Sequence, residues 1–539
     1  MTKYIFITGG VVSSLGKGIA SATIGALLQS RGFTVKLRKM DPYLNIDPGT
    51  MNPTEHGEVF ITDDGMETDM DLGHYERFTG NNGTVADNIT TGKIYDIILK
   101  KERRGDFLGK TLQIIPHVTD VVKEFVTKKT DKFDFVLIET GGTVGDIEGL
   151  PFYEAIRQLG FELGKENTCF IHLTYLPYIK TAGELKTKPT QHSVKALQSL
   201  GIQPDIILCR ADVDIQEKEL KKISLFCNVE EKNVIPAPNV NNIYEAPLVY
   251  HKNGLDECII RHFKLENKKN IDIEVWEKIN DTVGNFSKKV DIAIVGKYTS
   301  SKESYKSIVE ALDHAGIANN VKVNVVWVEA RDIKSDKDLD ILKNVKGILV
   351  PGGFGKDGTE GKILSVKYAR EHNIPFLGIC FGMQMAVVEF ARNVLDIKDA
   401  SSSEFSDTPN PVICLITEWD KNGFKEKRDK NSDLGGTMRL GGYDMRTKKG
   451  SLLRKIYEKE VVRERHRHRY EINIRYLQKF EERGLKFSMT SMDGLLPEAI
   501  ELENHRFFVG VQYHPEMTSR PFAANPLFKS FVERCIAEI

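Results

Sequence analysis

Cys380 stands between two glycines in Gly378-Ile379-Cys380-Phe381-Gly382-Met383-Gln384. The apolar run Ile374-Pro375-Phe376-Leu377 before it reads as a short buried strand, and Met385 to Phe390 after it reads as a helix. A nucleophile at such a strand-to-helix turn is held out toward substrate, and the glycines keep bulk away from the sulfur. The helix N-terminus favours the thiolate, which is the reactive form. The chemistry this predicts is attack on a carbonyl carbon. Two other stretches can assist. Val350-Pro351-Gly352-Gly353-Phe354-Gly355 is a glycine turn after a strand, and its amides, with that of Phe381, can face an oxyanion. Val509 to Glu516 ends a strand with His514-Pro515-Glu516, where a histidine can take the thiol proton and a carboxylate can fix its tautomer. Each part alone has a plainer reading: a lone buried cysteine is usually a small hydrophobe, and the other two are ordinary turns.

A second chemistry is written at the start of the chain. Gly9-Gly10-Val11-Val12-Ser13-Ser14-Leu15-Gly16-Lys17-Gly18-Ile19 follows a strand and opens a helix. Amides at a helix N-terminus, with Lys17, can cradle phosphates. The strict pattern G-x-x-x-x-G-K-[ST] is not met. The spacing from Gly10 to Gly16 is one residue too long, and Gly18 replaces the hydroxyl that would touch magnesium. Other oxygen ligands must then hold a metal, and magnesium takes one or two carboxylates plus phosphate oxygens. Asp71, in Glu67 to His74, and Glu139, at the end of the strand Phe135 to Ile138, are the candidates. Strand C-terminal ends are where ligands sit in parallel sheets, although loop carboxylates are commonly just solvated.

The elements that must position these residues follow from the apolar pattern. Tyr4 to Thr8, Phe133 to Glu139, Thr168 to Leu173 and Asp205 to Cys209 are short unbroken apolar runs separated by helical patterns. That alternation predicts a parallel sheet covered on both faces. Residues 264 to 290 are polar and charged, and a fresh strand, Asp291 to Gly296, begins after them. Further strand-like runs recur at Val323 to Val328, Gly347 to Val350, Pro375 to Ile379 and Phe507 to Val511. The expected organisation is α/β in two domains: a phosphate-loop-like parallel-sheet domain over 1–266, a linker over 267–290, and a second α/β domain over 291–539. Asp420 to Asp433 reads as an exposed, mobile loop.

Composition bounds the rest. A chain of 539 residues is too long for a single core. A formal net charge of -1 gives no reason to expect nucleic acid or an anionic membrane as a partner. No apolar run is long enough to span a bilayer, and the N-terminus enters a strand at once rather than forming a signal peptide. Seven cysteines without a CxxC pair argue against zinc and against a disulfide framework. The chain is therefore read as cytoplasmic and reduced.

The order glycine turn, Gly-x-Cys-x-Gly-x-Gln, His-x-Glu resembles the class I glutamine amidotransferase family across most of residues 291 to 539. The resemblance implies glutamine hydrolysis through a thioester at Cys380, with His514 as base and Glu516 as its orienter. It implies glutamine contacts at Gly353, Phe381, Gly382, Met383 and Gln384. It also implies that Glu404 and Arg469, in the cluster Arg465 to Glu471, grip the amino acid end of glutamine. Phe381 stands where leucine is commoner, but only its backbone is asked to act. Ammonia near neutral pH diffuses away, so such domains deliver it to a synthetase, which the first half must supply.

Gly9 to Ile19, Lys39 to Asn45, His56 to Phe60, Gly73 to Phe78, Gly141 to Glu148 and Lys186 to Gln191 together resemble the CTP synthase family, over essentially the whole chain. The resemblance implies ATP on Ser14, Leu15, Gly16, Lys17, Gly18 and Ile19, with Lys39, Asp71 and Val240. Lys17 and Lys39 would neutralise the transferred phosphoryl group, and Asp71 and Glu139 would hold Mg2+. UTP, or inhibitory CTP, would lie on Ser13, on Asp146, Ile147 and Glu148, on Lys186, Thr187, Lys188, Pro189, Thr190 and Gln191, and on Lys222. Adenine would sit near Arg210 and Pro238-Asn239-Val240, where Asn239 replaces the aspartate of an acidic tripeptide. His56 would lie at the synthetase end of an internal ammonia passage, close to UTP. The family also implies GTP as an allosteric activator of glutamine hydrolysis and a homotetramer favoured by UTP and ATP, acting in pyrimidine biosynthesis. Two other readings are open at this point. One is an amidoligase that aminates a carboxylate, such as a cobyrinic acid amidase. The other is a phosphate-loop partitioning or scaffold protein with an inactive glutaminase.

Overall fold

The computed structural model describes residues 1–415, 418–421, 424–427 and 438–537. They divide into two compact units. One comprises Met1–Pro48 and Asp71–Asn280, the other Gly49–Met70 and Asp281–Ile539.

In the first unit seven strands form a parallel sheet: β1 (Lys3–Gly9), β2 (Val35–Asp41), β3 (Asn88–Thr90), β4 (Phe135–Thr140), β5 (Thr168–Tyr175), β6 (Ile206–Arg210) and β7 (Val234–Pro236), in the order β7-β6-β5-β1-β4-β2-β3. Every residue of β4 is buried, as a strand covered on both faces must be. This bears out the sheet read from the apolar runs. Helix α1 (Lys17–Ser30) leaves the glycine turn after β1. Its far end is pinned by Arg31, whose Nε and Nη2 donate to Asp256 Oδ2 at 2.7 and 2.6 Å, both side chains being buried. His251 Nδ1 lies 3.0 Å from the same oxygen.

The second unit is built on a nine-stranded mixed sheet: β8 (Lys288–Gly296), β9 (Val321–Glu329), β10 (Gly347–Val350), β11 (Phe376–Ile379), β12 (Arg439–Thr447), β13 (Val461–His468), β14 (Leu485–Ser491), β15 (Pro497–Leu502) and β16 (Phe508–Val511). The order is β9-β8-β10-β11-β16-β15-β14-β12-β13. The neighbours β9, β8, β10, β11 and β16 pair parallel, and the pairings from β16 through β15, β14 and β12 to β13 are antiparallel. Two apolar clusters pack on opposite faces of the parallel part.

Two boundaries differ from the sequence reading. Where polar composition predicts a linker over 267–290, a helix spans Glu274–Gly284 and buries Trp276, whose ring centroid lies 5.4 Å from that of Phe78. One aromatic and Ile279 suffice to dock this helix on the first unit, and a count of charges does not register them. The second difference is larger: residues 49–70 belong to the second unit. Alternate arginines of β13 hold them there, as the period of a strand dictates. Arg463 Nε lies 3.1 Å from Asp63, Arg465 Nη1 donates to Ile61 O at 2.9 Å, and Arg467 Nε donates to Glu67 Oε1 at 2.8 Å. Most of the loop read at Asp420 to Asp433 lies outside the described residues; Glu418–Lys421 pairs antiparallel with Phe424–Lys427. Among the described residues no helix is long and apolar enough to cross a membrane.

Removing one partner of a buried ion pair strands the other charge. Asp256→Ala should therefore destabilise the first unit by about 3–5 kcal/mol, seen as an earlier urea transition. An unchanged midpoint would show that the pair does not secure α1.

Candidate active sites

The thiol site is assembled at the ends of β11 and β16 and the start of α2 (Phe381–Asn393). Cys380 adopts φ 52° and ψ -105°, a strained conformation for a residue with a side chain. Close packing of the two flanking glycines maintains it. A Cβ on Gly382 would lie 2.0 Å from Val350 O, and one on Gly378 would lie 2.8 Å from the Gly382 carbonyl carbon. The Cys380 amide donates to Val511 O at 2.6 Å, which ties the turn to β16.

His514 and Glu516 leave the end of β16. His514 Nδ1 and Glu516 Oε1 are 2.6 Å apart, which leaves Nε2 for the sulfur. Burial alone would lower the imidazole pKa, but Glu516 and Cys380 outweigh it and hold His514 up to about 10. The imidazole therefore carries its proton at neutral pH. The glycine turn closes the group: a Cβ on Gly352 would lie 3.0 Å from His514 Cε1 and 3.7 Å from Cys380 Cβ.

These residues open on a cavity of about 490 Å3 within the second unit. Cys380, His514, Glu516, Gly353, Glu404 and Arg469 all line it. Glu404 Oε1 accepts the Gly355 amide at 2.6 Å; burial raises its carboxyl pKa, opposed by that bond and by Lys297 and Arg469. Arg469 is half-buried, and burial lowers its pKa against the pull of Glu67. A carboxylate, a guanidinium and a thiol around one cavity suit an amino acid whose side chain carries the scissile carbonyl. The side chains of Phe381, Met383 and Gln384 do not line it. Met383 is buried against Gly510, and Gln384 Nε2 donates to Tyr470 O at 2.9 Å and Gln512 Oε1 at 3.1 Å. What this stretch, Gly382 included, can offer a ligand is backbone.

Two further contributors carry no local signature. Gln512 Nε2 lies 3.5 Å from Cys380 Sγ, linking the sulfur to Gln384. Gly49, Thr50, Met51, Pro53, Glu58 and Val59, from the first half of the chain, form part of the cavity wall. His56 is exposed in the short helix Pro53–His56 of the same segment.

The second site lies at the C-terminal ends of β1, β2 and β4 in the first unit. The turn before α1 carries three left-handed residues, Val11, Ser14 and Gly16, and a β-branched residue at φ 79° is strained. Lys17 folds back, donating from Nζ to Gly142 O at 2.7 Å. Burial lowers its pKa, and Glu139 opposes that. Lys39 bridges Asp71 and Glu139, reaching Glu139 Oε1 at 2.9 Å. Tyr75 and Ser21, both overlooked in the sequence reading, hold the other Glu139 oxygen. Burial raises the Glu139 and Asp41 carboxyls; burial also acts on Asp71, but Lys39, with smaller contributions from His74 and Lys17, brings it below its ordinary value. The absent hydroxyl at position 18 now has a geometric cause. A Cβ on Gly18 would lie 1.9 Å from Asp71 Oδ1, so the carboxylate stands where a serine or threonine side chain would be. Buried carboxylate oxygens beside an amide-rich turn form a hard donor set of the kind magnesium takes.

Other predicted residues gather around this turn. Arg210 Nη1 donates to Leu15 O at 2.6 Å and its other nitrogen bonds Asn239, whose amide reaches Asp212 at 2.7 Å. Asn239 thus joins an arginine to an aspartate, and Val240 follows it, half-buried. At Gly10 a Cβ would lie 1.7 Å from Ser193 Oγ and 2.9 Å from Val144, so the helix Lys188–Ser199 and the loop 141–148 meet the turn there. Ser13, Asp146, Ile147, Glu148 and Lys188 are exposed, and Lys186 and Pro189 are half-exposed. Thr187, Thr190 and Gln191 point inward: Gln191 Nε2 donates to Thr187 Oγ1 at 3.0 Å, and Thr190 meets Thr174 at 3.2 Å. Lys222, also exposed, acts electrostatically on Glu184, which Lys186 bonds.

Comparison with known proteins finds two family models along the chain. The family described as CTP synthase N-terminus matches residues 3–265, and that described as glutamine amidotransferase class-I matches residues 301–534. The CTP synthase of Bradyrhizobium diazoefficiens is 57% identical over 539 residues, covering 100% of this chain and 99% of that protein. That of Rhodopseudomonas palustris is 58% identical over the same length, with the same coverage. Among solved structures, the glutaminase domain of Trypanosoma brucei CTPS is 35% identical with a TM-score of 0.41, covering 46% of this chain and 93% of that one. With both halves matched, and relatives aligned from end to end, the chain belongs to the CTP synthase family.

Proposed function

We propose that this protein aminates UTP to CTP, using ATP and the side-chain nitrogen of L-glutamine. The observation that carries the reading is the Cys380–His514–Glu516 group opening on the cavity that also holds Glu404 and Arg469. Glutamine would lie with its amino acid end on Glu404 and Arg469. The Cys380 thiolate attacks the side-chain amide carbon, and amides of the Gly352–Gly353 turn and of Phe381 receive the oxyanion. His514 gives its proton to the departing ammonia, leaving a thioester. Water, losing a proton to His514, then hydrolyses the thioester to glutamate.

The cluster in the first unit would do the activation. Oxygen on a pyrimidine ring is a poor leaving group, so ATP phosphorylates O4 of UTP. Lys17 and Lys39 offset charge on the moving phosphoryl group. Asp71 and Glu139 would hold Mg2+, which when bound shares the phosphate charge. Ammonia attacks C4, phosphate leaves, and CTP remains. The segments at Ser13, Asp146 to Glu148 and Lys186 to Gln191, with Lys222, are assigned to UTP or CTP; the inward-turned Thr187, Thr190 and Gln191 would act through backbone and by shaping the helix start. ATP is assigned to Ser14 to Ile19, with its adenine near Arg210 and Val240. An internal ammonia passage with His56 at its synthetase end, GTP activation, CTP inhibition and a homotetramer rest on the family resemblance, and a cytoplasmic location on the cysteine pattern and the N-terminal strand. An inactive glutaminase is disfavoured by the intact thiol, imidazole and carboxylate.

Three outcomes are expected. Cys380→Ala should abolish glutamine-dependent CTP formation, followed by ultraviolet absorbance, while synthesis from added ammonia persists; loss of both would break the division of labour. Gly18→Ser supplies the hydroxyl of the standard phosphate loop, yet it should cut synthesis from either nitrogen source at least ~10-fold, because the new side chain displaces Asp71. Full retained activity would remove Asp71 from the metal site. The third concerns pH. The raised His514 pKa stabilises the fold fully below about 6.5, the ordinary histidine value, and that contribution is lost as pH rises through about 10. Glu516→Gln removes the strongest group raising it. Glutaminase turnover should fall by roughly 10²-fold, and the alkaline limb of its pH profile should move toward neutrality. An unmoved limb would exclude His514 as the proton carrier.

A further inference from the structure

Behind the glycine turn of the thiol site lie two lysines that the reaction as described does not use. Lys362, in the helix Thr359–Glu371, is 1% exposed. Its Nζ lies 3.4 Å from Pro351 O and 4.9 Å from the centre of the Phe381 ring. Lys297, just after β8, donates from Nζ to Phe354 O. The two ammonium groups thus hold the first and last carbonyls of Pro351–Phe354. A peptide unit is planar and trans, so fixing its carbonyl fixes the N–H on its opposite side. The partner of Pro351 O is the Gly352 amide. The partner of Phe354 O is the Gly355 amide, which donates to Glu404 Oε1 at 2.6 Å.

A buried lysine costs free energy, and a methionine of similar length would fill the same space without that cost. Packing therefore does not account for the Lys362 ammonium, while Lys297 is half-buried. Glycines supply the reason they are needed. A side chain on Gly352 would crowd His514, 3.0 Å from its Cβ, and Gly355 has φ 78°. A run so rich in glycine has several accessible peptide orientations, and something outside it must select one.

We infer that Lys362 and Lys297 are positioning residues of the glutaminase, with separate tasks. Lys362 orients the peptide that leads into the oxyanion-binding turn and so acts on the transition state. Lys297 orients the peptide that carries Glu404 and so acts on substrate binding. The inference rests on the proposed glutaminase reading. Burial pushes the Lys362 ammonium down to about 7, with Lys297 adding to that and Cys380, Glu329 and Glu404 opposing it; its Nζ can donate to Pro351 O in either protonation state.

The test is steady-state glutamine hydrolysis by the full chain, with ammonia-dependent CTP formation measured beside it. Lys362→Met should lower kcat at least ~10-fold with KM within about twofold, by analogy with loss of oxyanion stabilisation. Lys297→Met should raise KM at least ~10-fold with a smaller change in kcat, and Lys297→Arg should restore it. Both variants should keep the ammonia-dependent rate. Glutamine binding to Lys362→Met in a Cys380→Ala background, measured by calorimetry, should match that of Cys380→Ala alone. Weakened binding there, or kcat and KM moving together in either variant, would overturn the assignment. So would unchanged kinetics in both. If the unsubstituted protein hydrolyses no glutamine, the glutaminase reading itself fails, which is a different result.

Discussion

The reactive geometry depends on one close approach: the backbone of Gly382 lies against the carbonyl of Val350. A single methyl group there would stand 2.0 Å from that oxygen. The contact locks the first turn of α2 to the end of β10, and the Cys380–Val511 bond locks the same turn to β16. With both sides fixed, Cys380 has no relaxed conformation available and remains at positive φ. The strain is local, of order 1–3 kcal/mol, and the packed sheet beneath it is fully buried. Three strand ends and one helix start therefore share a single point, and His514, the glycine turn and the sulfur all leave from it.

The same device recurs in the first unit with a different occupant. Space vacated by a glycine is taken by a functional group from a distant segment. Asp71 occupies the space beside Gly18, Ser193 that beside Gly10, and His514 that beside Gly352. Position 18 decides how the phosphate turn is to be understood. A hydroxyl there and a carboxylate at Asp71 compete for one volume, so the chain can have either but not both. The departure from the standard phosphate loop is thus a substitution of one oxygen donor for another. Lys39, Tyr75 and Ser21 then hold the buried carboxylates in place through hydrogen bonds, which a cluster of like charges requires.

Much of this was legible in the chain. Unbroken apolar runs located the buried strands, because burial on both faces leaves no polar positions to confuse the pattern. The Cys380 elbow and His514-x-Glu516 were legible because local spacing fixes their geometry. What sequence did not reveal depends on distance. Lys362 and Lys297 are ordinary lysines until the fold sets their ends against two carbonyls of one turn. Tyr75 belongs to Glu139 only because the fold brings its hydroxyl onto that carboxylate from 64 residues away. The helix within the stretch read as a linker was missed for a related reason: Trp276 docks on Phe78, nearly 200 residues earlier, and nothing near Trp276 announces it.

The segment 49–70 is the clearest instance of a structural role hidden from local pattern. In sequence it follows β2, which carries Lys39 and Asp41, and returns at Asp71; in space it forms part of the wall of the cavity that Cys380 lines. Three arginines of β13 meet it, but they are not equivalent. Arg463 and Asp63 are both more than a third exposed, and an ion pair in that setting contributes little. Arg467 and Glu67 are 15% and 1% exposed, and Arg467 also donates to Gly49 O at 3.0 Å. Arg465 is buried against the Phe60 ring while holding Ile61 O. The retention of the segment therefore falls to the two inner arginines. Arg467 also lines the cavity itself. The residue that anchors the wall thus also faces the space in which glutamine would bind, so wall position and substrate contact cannot vary independently.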